Sequence, residues 1–247
     1  MYKLEHEYPE STWRINEKSH TYFSIVYKQF VNNLNEIEKS DFNDIDQLQQ
    51  QKWTLYDDYH VITVFSFMTI ETFVNDYLAV CLTDDFYYSN LDKLNILQKI
   101  EILFSLIWKE PIDKSKVLYK YLKDIIKERN QFVHTKSRSF DYTNYIETQE
   151  IKTLSYTDLD DYESQLRLHL QEDILDFLQE AFVSIKTIYL FMKTVDEHDK
   201  NRHAIISTMS CMEKEETLIG NQIVIAIEKQ IGTIEKRIKT LKKRINN

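Results

Sequence analysis

HVITVFSFMTIETFVNDYLAV, residues 60–80, is the stretch that decides the fold. It is apolar on almost every side at helical spacing. A helix of that kind is buried all round and sits in the middle of a helical assembly. Working outward, the same helix is expected to span roughly 44–82. Residues 16–40 repeat apolar positions at three and four, as a second, amphipathic helix does. TDDFYYSN (83–90) reads as a loop, and LDKLNILQKIEILFSLIWK (91–109) as a helix stopped by Pro111. The segment 113–137 restarts with Asp113 as its expected N-cap. Residues 139–156 are polar and read as a loop, and 158–195 as another long helix. The fold class is therefore all-α.

Composition agrees. Among 247 residues there are two Gly and two Pro, while 43% are hydrophobic. So few chain breakers argue for long helices and against a many-turned β protein, and that hydrophobic content can offset the entropy of ordering. The net charge is −9, which excludes a general, globally basic nucleic-acid binder. Cys81 and Cys211 stand far apart with no paired spacing, so neither a disulfide framework nor a thiolate metal site is indicated. The N-terminus lacks an apolar signal core, and no uncharged apolar run reaches the roughly 18 residues of a membrane span. A cytoplasmic setting without a membrane is expected. Gly220 and Gly232 stand alone, which excludes a P-loop. His198 and His203 in HDKNRH read as loop residues rather than metal ligands, Tyr56, Tyr59 and His60 in LYDDYH do not read as a site, and the aromatics at 21–30 read as core rather than as base-stacking platforms.

Two regions follow from this, a helical bundle over 1–196 and a helical extension over 197–247. In the extension, Ile227, Ile231, Ile234, Ile238, Leu241 and Ile245 alternate spacings of four and three. That seam either packs on the body or forms a short coiled coil with a second chain.

The stretch KERNQFVHTK (127–136) carries the candidate chemistry. On a helical wheel Leu118, Leu122, Ile125, Ile126, Phe132 and Val133 form one stripe. Arg129 falls in its middle, and a guanidinium there needs a partner or a wet seam. Lys116, Lys120, Lys123, Lys127, Asn130 and His134 collect on the other side. Between 113 and 138 eight Lys/Arg face three acids, a local charge of +5 in an acidic chain. Glu71 lies on an apolar line of the central helix, with Asn75 one turn later. Glu71 is expected to pair with or lie near Arg129, and Asn75 to support it.

RNQFVH reads as R-N-x-x-x-H. With the upstream MTIETFVNDYL and LDKLNILQKIEIL, it resembles the R-x4-H pattern of HEPN (higher eukaryotes and prokaryotes nucleotide-binding) domains, over roughly residues 16–195. The resemblance implies a HEPN-like helical bundle that dimerises and brings two motifs to a shared cleft. It implies a metal-independent endoribonuclease of bacterial defence or a toxin–antitoxin pair, with no cofactor. Its partners would be RNA, a second copy and an antitoxin or other defence protein. Arg129, Asn130 and His134 would be the catalytic set. Lys123, Lys127 and Lys136 would guide the RNA backbone. The alternative within the family is a non-catalytic binding or scaffold module. Some members carry a Tyr two residues after the His, a target for modification; here Lys136 stands there. The residue types suit the chemistry independently: His moves protons near neutral pH, and a forked Arg holds charge on phosphate oxygens.

Overall fold

The computed structural model describes residues 17–133, 159–199, 203–212 and 220–245. Among them there are eight α-helices and no strand, so the all-α expectation holds. They pack as a bundle around one continuous apolar core. No described helix is long and apolar enough to cross a membrane.

α1 (Glu17–Lys39) buries Phe23, Val26, Phe30, Leu34 and Ile37, a stripe spaced by three and four that faces the core. Asp44 caps α2 (Ile45–Leu82) by accepting from the Gln47 amide at 3.0 Å. At 38 residues α2 is the central element, about 57 Å long at 1.5 Å per residue. It packs on α1 along one side, and α5 and α6 (the second long helix, Leu159–His198) cover others. Its buried Thr63, Ser66 and Thr69 are small enough to let neighbouring backbones approach.

The stretch 83–90 differs from its expected loop. Thr83 takes a positive φ of 76°, which stops α2. Its side chain then caps α3 (Asp84–Asn90), accepting from the Phe86 amide. The acids Asp84 and Asp85 stand in the first turn, where the helix dipole favours them. The following helix also starts later than expected. Asn95 and Gln98 form a reciprocal capping box, which fixes the start of α4 (Ile96–Ile102). α4 widens into a π turn over Leu103–Ile107, and Lys109 at φ 61° ends it before Pro111.

Asp113 is not the cap of the motif helix. Its carboxylate accepts from the Ser115 amide at 2.9 Å and the Ser115 hydroxyl at 2.6 Å. That local turn competes with helix initiation, and α5 runs over Val117–Val133. α5 buries only Leu122 and Ile125, so most of its surface faces outward. α6 packs most heavily on α2. Near its end, Asp196 accepts from the amides of Ala204 and Ile205 and so caps α7 (Ala204–Met209), whose own preceding side chain makes no capping bond.

α8 (Asn221–Ile245) begins after Gly220, whose φ is 54°. All six seam residues are buried within the chain, so the last helix packs on the body. Arg237 forks onto Glu38 of α1 at 2.8 and 2.6 Å and onto Asn35 at 2.7 Å. Arg244 donates to the Glu38 and Ser40 carbonyls. On the α6 side, Glu228 accepts from Tyr189 at 2.5 Å and from Lys193 at 3.2 Å.

Candidate functional site

The end of α5 is held on α2 at two levels. The Arg129 guanidinium lies 4.8 Å over the Phe67 ring. Three residues on, Phe132 meets His60 edge-on at 3.7 Å and Tyr59 at 6.0 Å between ring centroids. Advancing along α5 thus means retreating along α2, so the two run antiparallel. Arg129 Nη1 also donates to Asn130 Oδ1 at 3.1 Å, which ties the guanidinium to the exposed side of the helix. Asn130, Lys123 and Lys127 are exposed and share that outward face within about 60° of wheel angle. Arg129 itself is half-buried at its edge. His134 and Lys136 lie outside the described residues, so the structure joins Arg129 and Asn130 without showing the third member of the motif.

Asn75 serves a different cation from the one expected, and the Glu71 charge acts on that same cation. Asn75 Oδ1 accepts from Lys99 Nζ of α4 at 2.9 Å. The Tyr87 hydroxyl of α3 accepts a second Lys99 proton at 2.9 Å. Lys99 is 4% exposed. Burial lowers its pKa, and the Glu71 and Asp92 carboxylates work against that shift. The salt bridges among the described residues include none between Glu71 and Arg129. Arg129 instead crosses α2 at Phe67, one turn before Glu71. The reason is packing: α3 and α4 lie against α2 and bring Tyr87 and Lys99 to Asn75, with the Glu71 charge near enough to act on Lys99. The signal was in the sequence. Lys99 sits between Ile96, Ile100 and Leu103 as Arg129 sits in its own stripe, a cation that must find a buried partner.

A second polar corner lies where α2, the π turn and α6 end. Tyr77 donates to Asp199 Oδ2 at 2.9 Å and accepts from Trp108 Nε1 at 3.3 Å. Burial pushes the Tyr77 phenol above its ordinary range. His198 stacks on Trp108 at 4.4 Å. His198 Nδ1 donates to the Thr194 carbonyl at 2.8 Å, and Nε2 lies 3.4 Å from Glu110 Oε2. His198 is thus a packed corner residue rather than a loop histidine. Neither its sequence neighbours nor its spacing pointed to Trp108.

The described residues also bring His60 to the motif helix. It packs between Tyr56, at 4.3 Å, and Phe132. No pattern along the chain distinguishes it, because its neighbour is 72 positions away. Among the described residues no cluster of three or more His, Cys, Asp or Glu is arranged to hold a metal ion. No protein-family model matches the chain, and no curated protein or solved structure shows significant similarity to it.

Proposed function

We propose that this chain is a metal-independent endoribonuclease of the HEPN type, working as a homodimer in bacterial defence or a toxin–antitoxin pair. The observation that carries the reading is the placement of Arg129. Its guanidinium is braced on Phe67 and bonded to Asn130 at the margin of an exposed lysine face. A guanidinium so held is oriented in advance for a phosphate, and orientation in advance is where catalytic electrostatics gains most.

In this reading Lys123 and Lys127, with Lys136, draw the RNA backbone toward the end of α5. A 2′-hydroxyl attacks its own phosphorus. His134 handles the proton that leaves the hydroxyl or the one that the departing 5′-oxygen takes up. Arg129 stabilises the charge on the phosphate oxygens, and Asn130 orients Arg129 through the bond already formed. The products are a 2′,3′-cyclic phosphate and a 5′-hydroxyl. An antitoxin or other defence protein would restrain the activity.

A non-catalytic binding module is the second reading. It is favoured by the aromatic clamp of Phe132 on His60 and Tyr59, which would hold α5 still with no chemistry required. The deciding experiment is RNA cleavage in chelator, wild type against His134→Ala, with sedimentation to establish the dimer. Cleavage by wild type alone, with cyclic phosphate ends, supports the nuclease. Absence of cleavage by a confirmed dimer over a panel of RNAs sinks it in favour of the binding module.

A further inference from the structure

α8 has a face that the packing of the bundle does not use. Its apolar seam is buried, and its two arginines are committed to α1 and the turn after it: Arg237 to Glu38 and Asn35, Arg244 to the Glu38 and Ser40 carbonyls and the Phe42 ring. Its two acids are also committed. Glu228 accepts from Tyr189 and Lys193, and Glu235 stands between Lys186 and Lys239. Opposite the seam the exposed side chains include three lysines, with Ile225 and Thr240 on the same side.

Lys229, Lys236 and Lys243 are exposed and recur every seven residues. At about 100° per residue they fall within about 40° of one another, opposite the buried seam. They rise about 10.5 Å per step and span about 21 Å. Lys239, also exposed, lies about 60° from the centre of the strip and thickens its C-terminal half. Lys229, Lys236, Lys242 and Lys243 form no salt bridge among the described residues. Charges strung over that length cannot converge on one small anion. They match a polymer with repeating negative charge.

We infer that the outward lysine strip of α8 is a docking surface for an RNA backbone, separate from the α5 face. The inference rests on the nuclease reading for the identity of the polyanion. α8 packs on α6 and α7 and is bonded to α1, whereas α5 packs on α2 and α6, so the two basic faces belong to different sides of the bundle. In a chain of net charge −9, such a strip sets the orientation in which a polyanion approaches. Lysine is a point charge without the planar fork of arginine, so the strip holds backbone irrespective of sequence. An anionic membrane is the less suitable occupant. A helix that lies in a bilayer surface inserts its apolar face, and here that face is inside the protein.

The test is fluorescence anisotropy with labelled 20-nucleotide oligouridine, using full-length protein carrying His134→Ala to prevent cutting. The strip is neutralised by Lys229→Gln, Lys236→Gln and Lys243→Gln together. An equal charge is removed elsewhere by Lys18→Gln, Lys93→Gln and Lys109→Gln. Glutamine keeps helix propensity at exposed positions, and circular dichroism checks the fold of both triples.

The expected result is about tenfold weaker binding for the strip triple. The slope of log K against log salt should fall by about two, near 0.7 for each phosphate that the strip no longer neutralises. The control triple should stay within about twofold. Equal weakening by both triples, unchanged binding by the strip triple, or no oligouridine binding at all overturns the inference. So does strip-dependent binding to phosphatidylserine vesicles with oligouridine binding unaffected. The nuclease reading is scored separately: strip-dependent binding by a chain whose wild type cuts no RNA sinks that reading alone. Cleavage that survives an inert strip sinks only the inference.

Discussion

Lys99 and Arg129 pose the same problem and meet different ends. Each is a cation set into an apolar stripe of its own helix. Lys99 is closed in by three helices, 4% exposed, and bonded to Asn75 and Tyr87 beside the Glu71 charge. Arg129 is half-buried at the rim of its helix, spread over one ring and tied to an exposed asparagine. The first environment fixes a charge as a strut between α2, α3 and α4. The second leaves the charge half-buried at the edge of one helix, against a single ring and an exposed asparagine. Stripe position alone does not decide how deeply a cation is closed in; the number of elements that pack over it does.

The largest effect should come from breaking the strut. Lys99→Ala leaves the buried Tyr87 hydroxyl and the half-buried Asn75 amide without their partner. It should cost about 3 kcal/mol in urea unfolding. A cost below about 1 kcal/mol would mean the cluster is wetter than its geometry indicates. Arg129→Ala should show the opposite profile. Removing the guanidinium from the Phe67 ring and from the exposed Asn130 side chain should cost about 1 kcal/mol or less through those two contacts. RNA cleavage, by contrast, should fall by about a hundredfold or more, as when one preorganised donor is removed. A large stability loss with cleavage intact would exchange the roles of the two cations.

Glu38 calibrates both, because it is an ion pair of intermediate exposure that ties α8 to α1. Hydrogen bonds from Arg237 hold its carboxyl below the usual carboxylate range, against the opposing effect of burial. A lowered folded-state pKa contributes stability above the ordinary carboxylate range and loses it as pH falls through the folded value. Glu38→Gln should therefore cost about 1 kcal/mol at pH 7, and its urea curve should converge on that of wild type as the pH falls through the lowered folded-state value. A difference that persists in acid would place the effect in packing rather than charge. The smallest change is Glu71→Gln, which leaves both Lys99 hydrogen bonds in place and should cost roughly 0.5 kcal/mol. If it instead abolished RNA cleavage with stability unchanged, Glu71 would belong with Arg129 after all.

The helical bundle was legible because its signal is repeated. The all-round apolar run of α2, the three-and-four stripes of α1 and α6 and the seam of α8 each state one burial requirement many times. The local errors share a cause. At 83–90 a threonine caps a short helix where a loop was expected, and at Asp113 the side chain bonds Ser115 and delays the helix. Caps and turns are decided by single hydrogen bonds that compete at similar energy, so one residue type fits either outcome. Of the candidate site, Arg129, Asn130 and the lysine face were legible from the wheel, since they lie within one helix. Their surroundings of Phe67, His60 and Phe132 were not.

By itself the sequence determined which residues must be buried, which long helices exist and which charges had to find partners. It required a partner for Arg129 and, by the same rule, for Lys99. Only the tertiary structure decided which partner each one met. It sent Glu71 and Asn75 to Lys99, stacked His198 on Trp108 and turned the lysines of α8 outward. The physical reason is that burial is a property each residue carries with it, summed along the chain. Pairing depends on how helices far apart in sequence come to cross.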